Sequence, residues 1–260
     1  MSNLSRYSKI GKLSAALCVV FAVIGGCGKI DEGAIRFGLA TPPVTLDPRY
    51  ATDATSYRIT RLIYQALVDF DRSHQPVPAL AEWEVLSPVH YRFHLKASTR
   101  FHDGSALDSL DVVATYESLL DPRTASPHRG SLSNIETIDA PSPMMVDFHL
   151  AQPDPLFPGL LVIGIMPQEL IAGTYSSLEI PIGSGPFVVD GAPKASRLRL
   201  RRVIDGQLVD FVTVRDATVR ALKILHGEID LMQGSMTPEL VDWLNLSDHI
   251  SANHRPGTTF

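Results

Sequence analysis

Tyr91-Arg92-Phe93-His94-Leu95-Lys96, then Phe101-His102-Asp103-Gly104, then the run from Asp108 to Leu120 decide how this chain folds. Apolar Tyr91, Phe93 and Leu95 alternate with Arg92, His94 and Lys96, the period-two pattern of a half-buried strand. Asp-Gly is tight-turn chemistry. Beyond it, Val112, Val113, Tyr116, Leu119 and Leu120 share one helical face. Asp108 is the cap candidate, Asp111 three residues on makes a weaker relative of a capping box, and Pro122 stops the helix. Farther along, Val146, Phe148 and Leu150 alternate with Asp147 and His149, so residues 75–150 read as antiparallel β with a helix.

The flanks read differently. Upstream, Ala34 to Leu39 alternates like a strand and the proline-broken loop Thr41 to Pro48 ends it. Thr52 to Leu67 carries Ile59, Leu62, Ile63, Ala66 and Leu67 at helical spacing, with Asp53 or Thr55 as cap. Downstream, Arg197 to Arg201 is a strand with its charges on one side, and Leu208 to Val214 is a second. Asp216 to His226 is a helix closed by Gly227. Ile229 to Met232 is a short strand, and Thr237-Pro238-Glu239 opens a last helix with proline at its tolerated first position. Strands alternating with helices after residue 185 indicate an α/β layer.

The chain has 260 residues, 45% hydrophobic and 20% charged, an ordinary globular composition. Its formal charge is −5, and the first 26 residues hold three bases and no acid, which leaves −8 on the rest. A surface that acidic is a poor polyanion binder, so nucleic acid is not an expected partner. Residues 1–26 combine a basic head (Arg6, Lys9, Lys12) with the apolar run Leu13 to Ile24. That run is too short to span a bilayer, which takes roughly 20 residues, and fits the h-region of an export signal. A short membrane anchor and a buried helix are the competing readings. Ile24-Gly25-Gly26-Cys27 resembles the lipobox of bacterial lipoproteins, which implies lipidation of Cys27 and a tether over residues 27–33. The alternative is a free thiol beyond an ordinary cleavage site. Cys18 and Cys27 are the only cysteines, so neither a disulfide framework nor a cysteine-built zinc site is expected in the body.

Catalytic patterns are thin. His90 and His94 have the spacing of two zinc ligands on a helix, but on a strand they stand about 13 Å apart, beyond the reach of one ion. Gly183-Ser184-Gly185 lacks the glycine two residues before the serine that a nucleophile elbow needs, and it lacks the third glycine of a dinucleotide loop. His102 with Asp103 could make a base oriented by a carboxylate, although a turn explains the pair equally. The arginines from Arg197 to Arg202 read as a solvated strand face. No catalytic residue, metal or cofactor is expected.

Five segments taken together resemble the family 5 (peptide and nickel) extracellular solute-binding proteins of ABC transporters. They are Thr45-Leu46-Asp47-Pro48 with Tyr57 to Phe70; Pro78 to Val85; Tyr91 to Val113; Gly183-Ser184-Gly185-Pro186-Phe187; and Gly227-Glu228-Ile229-Asp230-Leu231. Order and spacing agree over about residues 35–255. Two departures stand out: Glu82 directly precedes Trp83 with no serine between, and the family's Asn-Pro-x-Tyr-Trp block is missing after Arg202. The resemblance implies an α/β, type II periplasmic-binding-protein-like fold that closes on its ligand by hinge motion. Residues 34–72 and 181–260 would form the first lobe and 73–180 an extra β-rich domain, with the second lobe missing. It also implies an exported, periplasmic or extracytoplasmic protein, held at the membrane by Cys27 and carrying an oligopeptide or similar small solute to ABC permease subunits. Ligand contact is expected at Thr52, Asp53 and Ala54 and at Gly183, Ser184 and Gly185, although an N-cap role competes for Asp53. A lipoprotein scaffold or sensor using the same fold, and an exported hydrolase using His102, Asp103 or Ser184, are the alternative functions.

Overall fold

The computed structural model describes residues 33–173, 180–194, 196–234 and 236–252. The export signal, Cys27 and the final segment from His254 lie outside them. Among the described residues no helix is long and apolar enough to cross a membrane.

Two sheets organise the fold. The first is mixed. Strand β1 (Ile35–Leu39) runs parallel to both β10 (Leu208–Thr213) and β11 (Leu231–Gln233), and β9 (Arg197–Arg202) lies antiparallel between β10 and β8 (Phe187–Val189). Helix α1 (Ala54–Ile63) covers it, burying Ile59 and Ile63 against Leu198, Leu200 and Phe211. The second sheet is antiparallel, in the order β4 (Ala81–Ser87), β5 (His90–Leu95), β7 (Met145–Leu150), β6 (Ile135–Ser142). Its inner side chains pack on α2 (Ser109–Leu120). Phe148 meets Phe93 and Tyr116 edge-on, each pair with ring centroids 5.4 Å apart. Such aromatic pairs add about 0.5–1.5 kcal/mol each beyond the area they bury. The chain enters the antiparallel part through a small ribbon of β2 (Val68–Phe70) and β3 (Pro76–Pro78).

The capping box of α2 is complete. Asp108 Oδ1 accepts from the Leu110 amide and Asp111 Oδ2 from the Asp108 amide. Asp111 fills the role of a longer Glu because it is buried and also fixed by the Gln168 amide at 2.9 Å.

Two expectations shift. The first helix stops at Ile63 rather than Leu67, because the antiparallel part recruits the next backbone groups. The Leu80 amide donates to the Ala66 carbonyl, and the Ala79 and Ala81 amides donate to that of Leu67. Leu67 and Val68 accordingly pack into the core of the antiparallel part. The strand expected from Ile229 starts at Leu231. Ile229 is instead buried beneath Gly38, where a Cβ would lie 2.7 Å from its Cδ1.

Candidate functional site

In an open α/β sheet, ligands bind outside the carboxyl ends of the parallel strands, where loops meet helix N-termini. Here that edge is formed by the loop leaving β1 and by the end of β10 at Thr213. The loop is short of regular hydrogen bonds because of Pro42, Pro43 and Pro48, so side chains hold it. Ser56, wholly buried in the first turn of α1, accepts from the Val44 and Thr45 amides at 2.8 and 3.1 Å. Arg49 forms a buried pair with Asp47 through Nε and Nη2, and its carbonyl accepts from the Ser126 hydroxyl. The Tyr50 hydroxyl donates to the Thr124 carbonyl. The loop is thereby tied to α1 and to the turn that follows α2.

Between this loop and β9–β10 lies a groove of about 570 Å³, lined among others by Pro42, Val44, Tyr50, Pro181, Lys194 and Arg215. Val44 is 83% exposed there. Asp47 also lines it but is neutralised by Arg49, so Lys194 and Arg215, both exposed, give the groove a positive rim.

The ligand residues inferred from the sequence fall at two ends of α1, a ten-residue helix about 15 Å long. Thr52 and Ala54 are exposed at its start. Asp53 between them is the N-cap, accepting from the Thr55 and Ser56 amides at 3.1 and 2.9 Å. Partial burial pushes its carboxyl up, but the Ser56 hydroxyl and the two amides outweigh that and hold it below the usual carboxylate range.

Gly183 and Gly185 press on the other end of α1. A Cβ on Gly183 would lie 2.1 Å from the Ile63 carbonyl oxygen, and one on Gly185 2.5 Å from that of Leu62. The Gly185 amide donates to the Ile63 carbonyl at 2.8 Å, continuing the helix's hydrogen bonding into the turn. The Ser184 hydroxyl is buried with no hydrogen-bond partner among the described residues. None of the six residues lines the groove itself; Pro181, just ahead of the glycine turn, does.

His102 explains the turn. Its Nδ1 accepts from the Gly183 amide at 3.3 Å, its Nε2 bonds the Gly185 carbonyl at 2.9 Å, and its own amide donates to the Gly183 carbonyl at 2.8 Å. One acceptor and one donor nitrogen define a neutral imidazole. Burial lowers its pKa, in keeping with that form, against the opposing pull of the Gly185 carbonyl. Asp103 instead accepts from the Ser105 amide and hydroxyl, and Gly104 closes the turn at φ +91°. The pair that could have been a base and its orienting carboxylate is engaged in two separate turn contacts.

The arginine face of β9 is solvated at Arg197 and Arg201, as its pattern indicates, and it also meets a buried partner. Arg197 and Arg199 converge on Asp210, whose side chain is 4% exposed. Burial would raise that carboxyl, but the two guanidiniums hold it below its ordinary value.

A mixed sheet whose parallel strands end at a side-chain-braced loop and an open groove defines a ligand-binding α/β lobe. The family model for bacterial extracellular solute-binding proteins, family 5, matches residues 75–259, and the chain belongs to that family. These are binding proteins of ABC transporters that work outside the cytoplasm. Over 201 residues the chain is 29% identical to the HTH-type transcriptional regulator SgrR of Pectobacterium atrosepticum, covering 75% of this chain and 35% of that protein. The periplasmic binding protein DppA from Helicobacter pylori, solved with the peptide STSA, superposes with a TM-score of 0.73 at 25% identity, over 83% of this chain and 49% of that one. AgaA from A. tumefaciens R10, solved with agropinic acid, gives 0.71 at 26%, over 76% and 43%. The chain thus spans less than half the length of these relatives.

Proposed function

We propose that this chain is a solute-capturing component of an ABC transport system, exported and lipid-anchored through Cys27, and that it performs no chemistry on its cargo. The groove at the carboxyl edge of β1 and β10 carries this reading, because it pairs an exposed apolar loop with a cationic rim. Lys194 and Arg215 suit a carboxylate, which a peptide and an opine such as agropinic acid both carry. Thr52 and Ala54 flank the capped start of α1 within the same loop region, while Gly183, Ser184 and Gly185 serve as the brace at its far end. Residues 34–72 with 181–260 form the lobe that holds the groove, and residues 73–180 form the β-rich excursion.

Thermal shift with di- to pentapeptides and agropinic acid tests the cargo class. A saturable rise in Tm that weakens in Arg215→Glu supports a carboxylate-bearing solute; no rise across the panel at millimolar concentration rejects it. Labelling of expressing cells with an alkyne fatty acid tests the anchor: the wild type carries label, Cys27→Ser does not, and equal labelling of both rejects lipidation there. The similarity to SgrR favours a second reading, a solute sensor using the same lobe. Genomic neighbours encoding two permeases and an ATPase would favour transport over it.

A further inference from the structure

Outside the groove, the outward face of the antiparallel sheet gathers a different chemistry. His90 of β5 stands directly opposite His149 of β7, and Arg92 opposite Asp147. Directly opposed residues of antiparallel strands hold their Cβ atoms about 5 Å apart, close enough for two side chains to reach one ion. The imidazole rings stack with centroids 4.1 Å apart at 29°. Asp147, 7% exposed at its side chain, lies beneath them with Oδ2 3.3 Å from His90 Nε2. One ligand atom from each of His90, Asp147 and His149 fits within 4.8 Å of the others.

His90 Nε2 is shielded from solvent yet lacks a hydrogen bond of acceptable geometry, in spite of its closeness to Asp147. Buried polar atoms rarely remain unpaired, and an ion between Nε2 and Oδ2 would satisfy the imidazole nitrogen. The surroundings supply orientation. Arg92 Nε holds Asp147 Oδ1 at 2.8 Å, leaving Oδ2 to turn from Arg92 Nη2 toward a cation. Asp139 Oδ2 stands 3.4 Å from His149 Nε2, where it can orient the ring or add a fourth ligand. Carboxylates behind histidine ligands are a recurrent outer layer of metal sites.

We propose that His90, Asp147 and His149 form a binding site for a divalent transition metal of the zinc or nickel class. Two imidazoles and one carboxylate suit these borderline ions, whereas magnesium and calcium prefer all-oxygen sets. The site clips β5 to β7 and is separate from the solute groove. The His90–His94 chelate rejected on spacing stays rejected; the partner of His90 comes from across the sheet.

The test uses the full chain, untagged and stripped with EDTA, titrated with ZnCl2, NiCl2 and MgCl2 while Tm is followed. Co2+ absorption in the visible reports coordination directly. Wild type and His94→Ala should gain Tm with zinc or nickel but not with magnesium, and should show Co2+ ligand-field bands. In His90→Ala and His149→Ala the metal response should weaken at least about tenfold, with the metal-free Tm checking that each variant is folded. Asp147 is kept, since removing it would strand Arg92. No zinc or nickel response in the wild type, or an undiminished one in His149→Ala, overturns the site. Neither outcome bears on solute binding, which is read from peptide and opine titrations.

Discussion

Gly183 and Gly185 hold their positions because the backbone of α1 comes too close to tolerate a side chain. A methyl on Gly183 would overlap the Ile63 carbonyl oxygen, a backbone atom that cannot swing aside. Gly183→Ala should therefore cost about 3 kcal/mol in urea denaturation; a loss below 1 kcal/mol would show that the turn can relax. Asp53 is a different case, since its carboxylate does local work whether or not a solute is present. Asp53→Ala should lower stability by about 1 kcal/mol through the lost cap. Thr52→Ala leaves the cap bonds intact and should change stability by less than half of that. The Asp53 cap was legible because Asp, Thr and Ser cluster just ahead of an apolar-periodic run. The partnership of His102 with Gly183 and Gly185 was not, since about eighty residues separate them and no local pattern records the contact.

The strands and helices follow their patterns where one face is buried and the other is wet. Tyr91, Phe93, Val146 and Phe148 point inward, as period-two alternation requires. The α2 stripe places Val112, Tyr116 and Leu119 in the same core. Tyr116 carries one discordant atom: its hydroxyl is fully buried, has no partner among the described residues, and has its pKa driven far upward by burial. Tyr116→Phe keeps the edge-on contact with Phe148 and removes that hydroxyl, so it should raise the unfolding free energy by about 1 kcal/mol. An equal loss instead would mean that the hydroxyl is bonded in solution. The end of α1 escaped the sequence because Gln65, Ala66 and Leu67 continue a good helical pattern. Competition from the backbone of Leu80 and Ala81 wins there. The arginines of β9 were recognisable as one face, but their convergence on Asp210 depends on the β9–β10 register, which alternation alone does not set.

Across the protein, two half-buried histidines couple folding to pH. Burial lowers the pKa of His102 against the Gly185 carbonyl, and burial lowers that of His128 against the Ala51 backbone. In the unfolded chain both titrate near 6.5, so as pH falls from there the unfolded state takes up protons first. Their stabilising contribution is thus complete above about pH 6.5 and is lost as pH falls through the depressed folded values. Denaturation midpoints should drop between pH 7.5 and 5, and His102→Gln should flatten that slope; an unchanged slope would assign the dependence to other groups. Five ordered motifs were enough to place the chain in its family, and local alternation was enough to mark β5 and β7. Periodicity and turn chemistry act over a few residues, so a linear reading recovers them. The groove with its cationic rim, the brace on α1 and the stacked pair His90–His149 exist because sheet register and loop packing bring together residues far apart in the chain. Those distances are set by the burial of both cores at once, which no short window of sequence encodes.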